Sequence, residues 1–101
     1  MTVKLVVLYT QPDDPAGFDE HYLAVHGPLV AQIPGLERWE GAALVAAPGG
    51  GELTYHRIAE LYFSDLEALG AALGSDQGKS TAADYAAVAP PGSRMFIAAL
   101  D

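Results

Sequence analysis

A short apolar run rich in β-branched residues opens this chain, apolar residues then fall at helical spacing, and further short apolar runs follow. Thr2 to Thr10 is rich in β-branched residues. Val3, Leu5, Val7 and Tyr9 make one face and Val6 and Leu8 the other, which predicts a strand buried on both sides. Gln11 to Pro15 reads as a turn, with Asp14 as N-cap and Pro15 at the first helical position. Phe18, Tyr22, Val25, Leu29 and Ile33 then share one face of a helix. Pro28 offers no N–H to the carbonyl four residues back, so a kink or break is expected near His26. Pro34-Gly35 ends the helix. His21 precedes His26 by five residues. On a regular helix that is roughly 140° of rotation, so the two histidines are not expected to reach one point, and His21 is expected on the solvent side.

Leu36 to Ala47 reads as a second strand, Pro48 to Gly51 as a turn, and Leu53 to Phe63 as a third strand that completes a hairpin. Ser64-Asp65-Leu66-Glu67 has the form of a capping box, with Ser64 as N-cap and Glu67 reaching back. It opens a helix with Leu66, Leu69 and Leu73 as its stripe. Gly74 to Gly78 breaks that helix. Lys79 to Val88 is a further helix carrying Tyr85, and Arg94 to Leu100 is the last strand. The order β-α-β-β-α-β is the ferredoxin-like α+β pattern, in one domain spanning residues 1–101.

Right-handed crossovers place the helices on one face of such a sheet. The strands are nevertheless apolar on both faces: Phe96, Ala98 and Leu100 lie on one side of the last strand, and Met95, Ile97 and Ala99 on the other. A whole sheet face of this kind exceeds the few hundred Å² of open apolar patch that a soluble monomer tolerates. A homodimer with sheet packed on sheet follows as the expectation, with twofold symmetry the commonest arrangement.

Composition narrows the function classes. The net charge is −8, and the five basic residues, Lys4, Arg38, Arg57, Lys79 and Arg94, are scattered. That balance speaks against nucleic acid and anionic membranes as partners. With no cysteine, disulfides, thiolate metal sites and thiol nucleophiles are absent. No apolar run reaches the roughly 18 residues of a membrane span, and no signal-type segment opens the chain, so a cytoplasmic location is expected. Gly78-Lys79-Ser80 is not a phosphate loop, because Leu73 stands where its first glycine belongs. Neither His21 nor His56 has a metal partner at helical spacing, and no cofactor fingerprint is present, so neither metal nor cofactor is expected.

His26 is the leading candidate for chemistry. A histidine titrates near neutral pH and can serve as acid or base. The structural alternative is a buried histidine bonded to a carbonyl freed by Pro28. Glu60 lies mid-strand in an apolar run, where a carboxylate is costly to bury unless paired. It is a candidate to orient His26 or hold a substrate hydroxyl, and equally a candidate for a plain ion pair with an arginine. Tyr9, Phe18, Tyr22, Trp39, Tyr62 and Tyr85 are candidates to line a pocket for a flat apolar ligand, although aromatics at such spacings more often form core or interface.

The run F-x-x-H-Y-x-x-x-H-G-P-L from Phe18 to Leu29, followed by Pro34-Gly35 and by Ile58-Ala59-Glu60-Leu61-Tyr62-Phe63, resembles the EthD family. His26 matches the histidine of the family's H-x-P-L element, and Tyr22 stands where Trp is common. The resemblance implies a dimeric α+β barrel built from two ferredoxin-like subunits. EthD-like proteins accompany the oxidative breakdown of ethers, and similar barrels act as isomerases, cyclases, cofactor-free oxygenases or haem enzymes. Fold alone does not choose among these. Two functions are therefore carried forward. One is an enzyme in which His26 moves a proton of a hydrophobic metabolite. The other is a non-catalytic binding or accessory protein. The first needs a free ring nitrogen of His26 facing a cavity, whereas both nitrogens tied to protein groups would favour the second. A third reading, a purely structural dimer, would have a filled core with no cavity of the roughly 300 Å³ that a ligand site usually needs.

Overall fold

The computed structural model describes residues 1–101. Strands β1 (Val3–Thr10), β2 (Arg38–Ala43), β3 (Tyr55–Phe63) and β4 (Arg94–Ala99) form one antiparallel sheet in the order β2-β3-β1-β4. Register pairs Val3 with Phe63 and Ala99, Leu5 with Leu61 and Ile97, and Val7 with Ala59 and Met95. Val3, Leu5, Val7 and Tyr9, with Ala59, Leu61 and Phe63, face the helices and supply the sheet side of the core. The alternate residues Lys4, Val6 and Leu8 are half-buried, because no helix covers their face. The ferredoxin-like α+β fold is thus as expected, and the double-faced burial predicted for β1 is met on one face only within the single chain.

The first helical stretch departs from a regular helix where Pro28 acts. Helix α1 (Pro15–His21) begins on Asp14, whose side chain accepts from the Gly17 N–H at 3.0 Å. The chain then makes a π-helical turn over Tyr22–His26, in which the Gly27 N–H reaches back to the Tyr22 carbonyl, before one turn of α2 (Gly27–Val30). Proline deprives the Ala24 carbonyl of its partner, and the ladder slips to the five-residue spacing of a π-turn. The wider turn shifts the inward face. Val25, expected in the buried stripe, is 43% exposed and Leu29 only half-buried, whereas His26 and Val30 point inward.

Helix α3 (Leu66–Gly74) is capped by Asp65, not Ser64: its carboxylate accepts from the Ala68 N–H at 2.8 Å, and the expected box with Glu67 does not form. An anion at this end also meets the positive pole of the helix dipole. Helix α4 (Asp76–Val88) starts three residues earlier than predicted. The predicted break shrinks to Ser75, whose hydroxyl donates to the Ala72 carbonyl at 2.6 Å and accepts from the Gly78 N–H at 3.0 Å. Gly78 is required there, since a Cβ would lie 2.0 Å from the Ala72 oxygen.

Strand β2 is shorter than predicted, and a loop through Gly49, Gly50 and Gly51, all at positive φ, leads to β3. At the start of β3, His56 is an extra residue in the ladder, since Tyr9 pairs with Arg57 and Thr10 with Tyr55.

Candidate functional site

Between the sheet and the helices lies a cavity of about 230 Å³. Leu5, Val7, Ala59 and Leu61 form its sheet wall, Val30 and Ile33 the wall after the π-turn, and Thr81, Ala82 and Tyr85 the α4 wall. Leu73 and Met95, both partly exposed, stand at its rim. The volume is below the ~300 Å³ at the lower end of drug-sized ligand pockets. It is above the ~150 Å³ that suffices for benzene.

Polar groups reach this apolar space at few places. The Thr81 hydroxyl is committed to the Gln77 carbonyl at 2.8 Å. Tyr85, Tyr9 and His26 are the other polar residues on the wall, and Tyr9 and His26 open a chain of bonds. The Tyr9 hydroxyl lies 3.3 Å from His26 Nε2, His26 Nδ1 lies 2.8 Å from one Asp84 oxygen, and His21 Nε2 lies 2.8 Å from the other. Burial pushes the Asp84 carboxyl up, but the bonds from His21 and His26 outweigh it and hold the group below the ordinary carboxylate value. An ionised Asp84 only accepts, so the His26 Nδ1–H and the His21 Nε2–H donate to it. In the neutral ring this tautomer leaves His26 Nε2 as the acceptor of the Tyr9 hydroxyl. Burial, followed by the neighbouring Tyr22, Tyr85 and Asp84, raises the Tyr9 pKa. Tyr9 therefore meets the cavity as a neutral hydroxyl.

Neither ring nitrogen of His26 is free. Both nitrogens being tied to protein groups favours binding over direct catalysis by the ring. Asp84 is not among the sequence candidates. Its one signal is an acid three residues after Thr81 and four before Val88, on the inward side of α4. His21, expected in solvent, turns inward for the same reason that the stripe shifts: a π-turn brings residues five apart to one side of the helix.

The expected pairing of His26 with Glu60 is not formed. Strand alternation turns Ala59 and Leu61 to the cavity and Glu60 to the opposite face, where Lys4 donates to it at 2.6 Å. Tyr62 lies on that same far face, under the Arg38 guanidinium at 3.8 Å. Of the aromatic candidates, Tyr9 and Tyr85 line the cavity, with ring centroids 5.6 Å apart. Phe18 and Tyr22 pack behind Tyr9 at 5.2 and 5.7 Å. Trp39 fills the space between Gly27 and Gly41.

A second polar cluster stands beside this layer. The bulge at His56 lets His56 and Arg57 converge on Asp19 of α1, at 2.8 and 3.2 Å. Burial raises the Asp19 carboxyl, and the bonds from His56 and Arg57 more than reverse this. Arg57 lies 4.5 Å over the Tyr22 ring, and the buried Tyr22 hydroxyl has no hydrogen-bond partner.

One four-stranded antiparallel sheet with its helices and an apolar cavity on the same face defines a ferredoxin-like α+β protein. The EthD domain model matches residues 11–89, which include His21, His26 and Asp84. The chain belongs to the EthD family. It is 38% identical over 93 residues to an uncharacterised 11.0 kDa protein of the thcB-thcC intergenic region of Rhodococcus erythropolis, covering 92% of this chain and 89% of that one. It is 37% identical to an EthD-family protein of Bacillus halodurans, whose crystal structure superposes over 100% of both chains with a TM-score of 0.95. The fold recurs at 20% identity and a TM-score of 0.69 in SnoaB, a cofactor-independent oxygenase of Streptomyces nogalater, over 98% of this chain and 92% of that one. It also recurs in several dimeric ferredoxin-like proteins of unknown function at 14–16% identity. No helix is long and apolar enough to cross a membrane.

Proposed function

We propose that the chain binds a small, largely apolar molecule in the cavity between sheet and helices, with the Tyr9 hydroxyl as its polar anchor and His26 and Asp84 as the proton partner behind it. The observation that carries this is the meeting of an apolar cavity of about 230 Å³ with one connected polar chain, Tyr9–His26–Asp84. Isothermal titration with nitrobenzene tests it. The wild type gives saturable binding, and Ala82→Phe, which fills the cavity from α4, removes it. Absence of saturable binding in the wild type would sink the cavity as a ligand site.

A specific observation also favours an enzymatic role. A carboxylate 2.8 Å from Nδ1 stabilises the imidazolium that forms when Nε2 takes a proton. Isomerisation, cyclisation and cofactor-free oxidation each can begin with such a proton removal, and the similarity to SnoaB, an oxygenase without a cofactor, supports this class. Ligand chemistry would then run through Tyr9, whose own proton passes to His26. With a cognate substrate, His26→Gln abolishes turnover. Unchanged turnover removes His26 from the catalytic step.

The chain acts as a homodimer through the face that carries no helices. Val6, Leu8 and Ile58 are half-buried there and Phe96 is 51% exposed, and dimeric proteins of the same fold support the pairing. Phe96→Asp yields a monomer by sedimentation equilibrium. A wild type that already sediments as a monomer rules the dimer out.

A further inference from the structure

We infer that the ligand is a neutral molecule of single-ring size carrying one weakly acidic hydroxyl or enol, and that ligands already ionised are rejected. The inference rests on the cavity being the ligand site. Charge constrains the ligand as much as size does.

No lysine or arginine lines the cavity. Lys4 and Arg38 sit on the far face of the sheet with Glu60 and Glu40, and Arg57 is engaged with Asp19. The anion Asp84 stands directly behind His26, whose ring is on the cavity wall. An anionic ligand would leave water for an apolar space with no cation on its wall, next to a carboxylate, and that desolvation is not offset. A cationic ligand would find no acceptor directly on the wall but hydroxyls and the ring of His26, with Asp84 shielded behind it.

A neutral acid meets neither obstacle, because it brings its own counter-charge as a proton. The ligand O–H bond breaks as a new O–H bond forms on Tyr9, and the original Tyr9 O–H bond breaks as an N–H bond forms on His26 Nε2. The ligand anion, the imidazolium and Asp84 together carry the same net charge as the neutral ligand, the neutral ring and Asp84 did. The cavity therefore never holds an uncompensated charge. Tyr9 is suited to bridge this transfer, since its burial keeps it a neutral hydroxyl, donor and acceptor at once. In the neutral ring the Asp84 bond at Nδ1 fixes the tautomer whose Nε2 already faces the Tyr9 hydroxyl and can take its proton.

Three single-ring probes separate the outcomes: 4-nitrophenol, nitrobenzene and 4-nitrobenzoate, the last set against 4-nitrobenzamide as its uncharged match in size. They are titrated into the full chain at a pH where free 4-nitrophenol is protonated and 4-nitrobenzoate ionised. We expect 4-nitrophenol to bind at least about tenfold tighter than nitrobenzene, a difference of about 1.4 kcal/mol, and to show the visible band of its anion when bound. We expect 4-nitrobenzoate not to bind. In Asp84→Asn and His26→Gln, each checked for native circular dichroism, the phenol still binds but the anion band is lost. Equal binding of 4-nitrophenol and nitrobenzene without the band overturns the acidic-ligand inference while leaving the cavity as a binding site. Binding of 4-nitrobenzoate as tight as that of the phenol overturns the rejection of anions. Failure of all three probes overturns the cavity reading and this inference with it.

Discussion

His21 and His26 stand five residues apart and close on the two oxygens of one carboxylate, each at 2.8 Å. A regular helix would point them roughly 140° apart. The π-turn that Pro28 forces, closed by the Gly27 N–H on the Tyr22 carbonyl, brings them to the same side, where α4 offers Asp84. One proline thus decides both which residues face the core and how the cavity's polar chain is anchored.

Asp84 holds two donors at once, so an amide cannot replace it. In Asp84→Asn, the new side chain has one oxygen to accept with, and its NH₂ would face a histidine N–H. One ring is left unpaired or changes tautomer, at a cost of about 1–3 kcal/mol. Urea unfolding at neutral pH measures this. Wild-type stability in the variant would mean that the triad is not a buried network.

Tyr9→Phe separates packing from proton handling. The ring keeps its contacts with Phe18, Tyr22 and Tyr85, and the bond lost is the long one of 3.3 Å to His26. Stability changes by no more than about 1 kcal/mol. The visible anion band of bound 4-nitrophenol disappears. A band that persists in this variant would take Tyr9 out of the path.

Gly41 and Tyr22 form a coupled pair. A Cβ at Gly41 would lie 2.7 Å from the Tyr22 hydroxyl oxygen and 3.2 Å from the Trp39 ring. Gly41→Ala therefore costs about 1–3 kcal/mol through overpacking. Because the Tyr22 hydroxyl is buried without a partner, Tyr22→Phe alone is neutral or stabilising. Added to Gly41→Ala, it restores part of the loss, and a double-mutant cycle in chemical denaturation reads this as non-additivity.

Acid should unfold the protein by way of Asp84 and Asp19. Both carboxyls sit below their ordinary value in the folded chain, because histidine and arginine donors outweigh burial. The unfolded chain binds protons at these groups first, at about pH 3.9. Their stabilisation is thus fully present above that pH and is lost as pH falls through the lower folded-state values. Stability against pH, followed by urea midpoints, falls less steeply below about pH 4 in Asp19→Asn than in the wild type. Superimposable curves would deny Asp19 this role.

Much of the architecture is legible from periodicity. The short apolar runs Val3–Tyr9 and the one ending at Phe63, with helical spacing after Asp14, suffice for the ferredoxin-like order and the antiparallel sheet. His26 is readable as the inward histidine, and Tyr9 and Tyr85 as pocket aromatics. Glu60 and Tyr62 are misplaced relative to the cavity. A strand that is apolar on both faces does not say which face the helices cover, and these two share the other one. Asp84 and His21 are illegible for a different reason. Their convergence depends on a hydrogen-bond slip at Pro28, which periodicity registers only as an interruption.

Where α3 meets α4, the main chains touch at Gly78 and Ala72 with no side chain between them, and Ser75 clips both ends. The two helices accordingly form a single stiff elbow. A guest entering the cavity cannot spread them at that corner, so room must be made along the rest of the α4 wall, at Ala82 and Tyr85. Bulk admitted there, more than volume inside, sets the largest molecule this small domain can swallow.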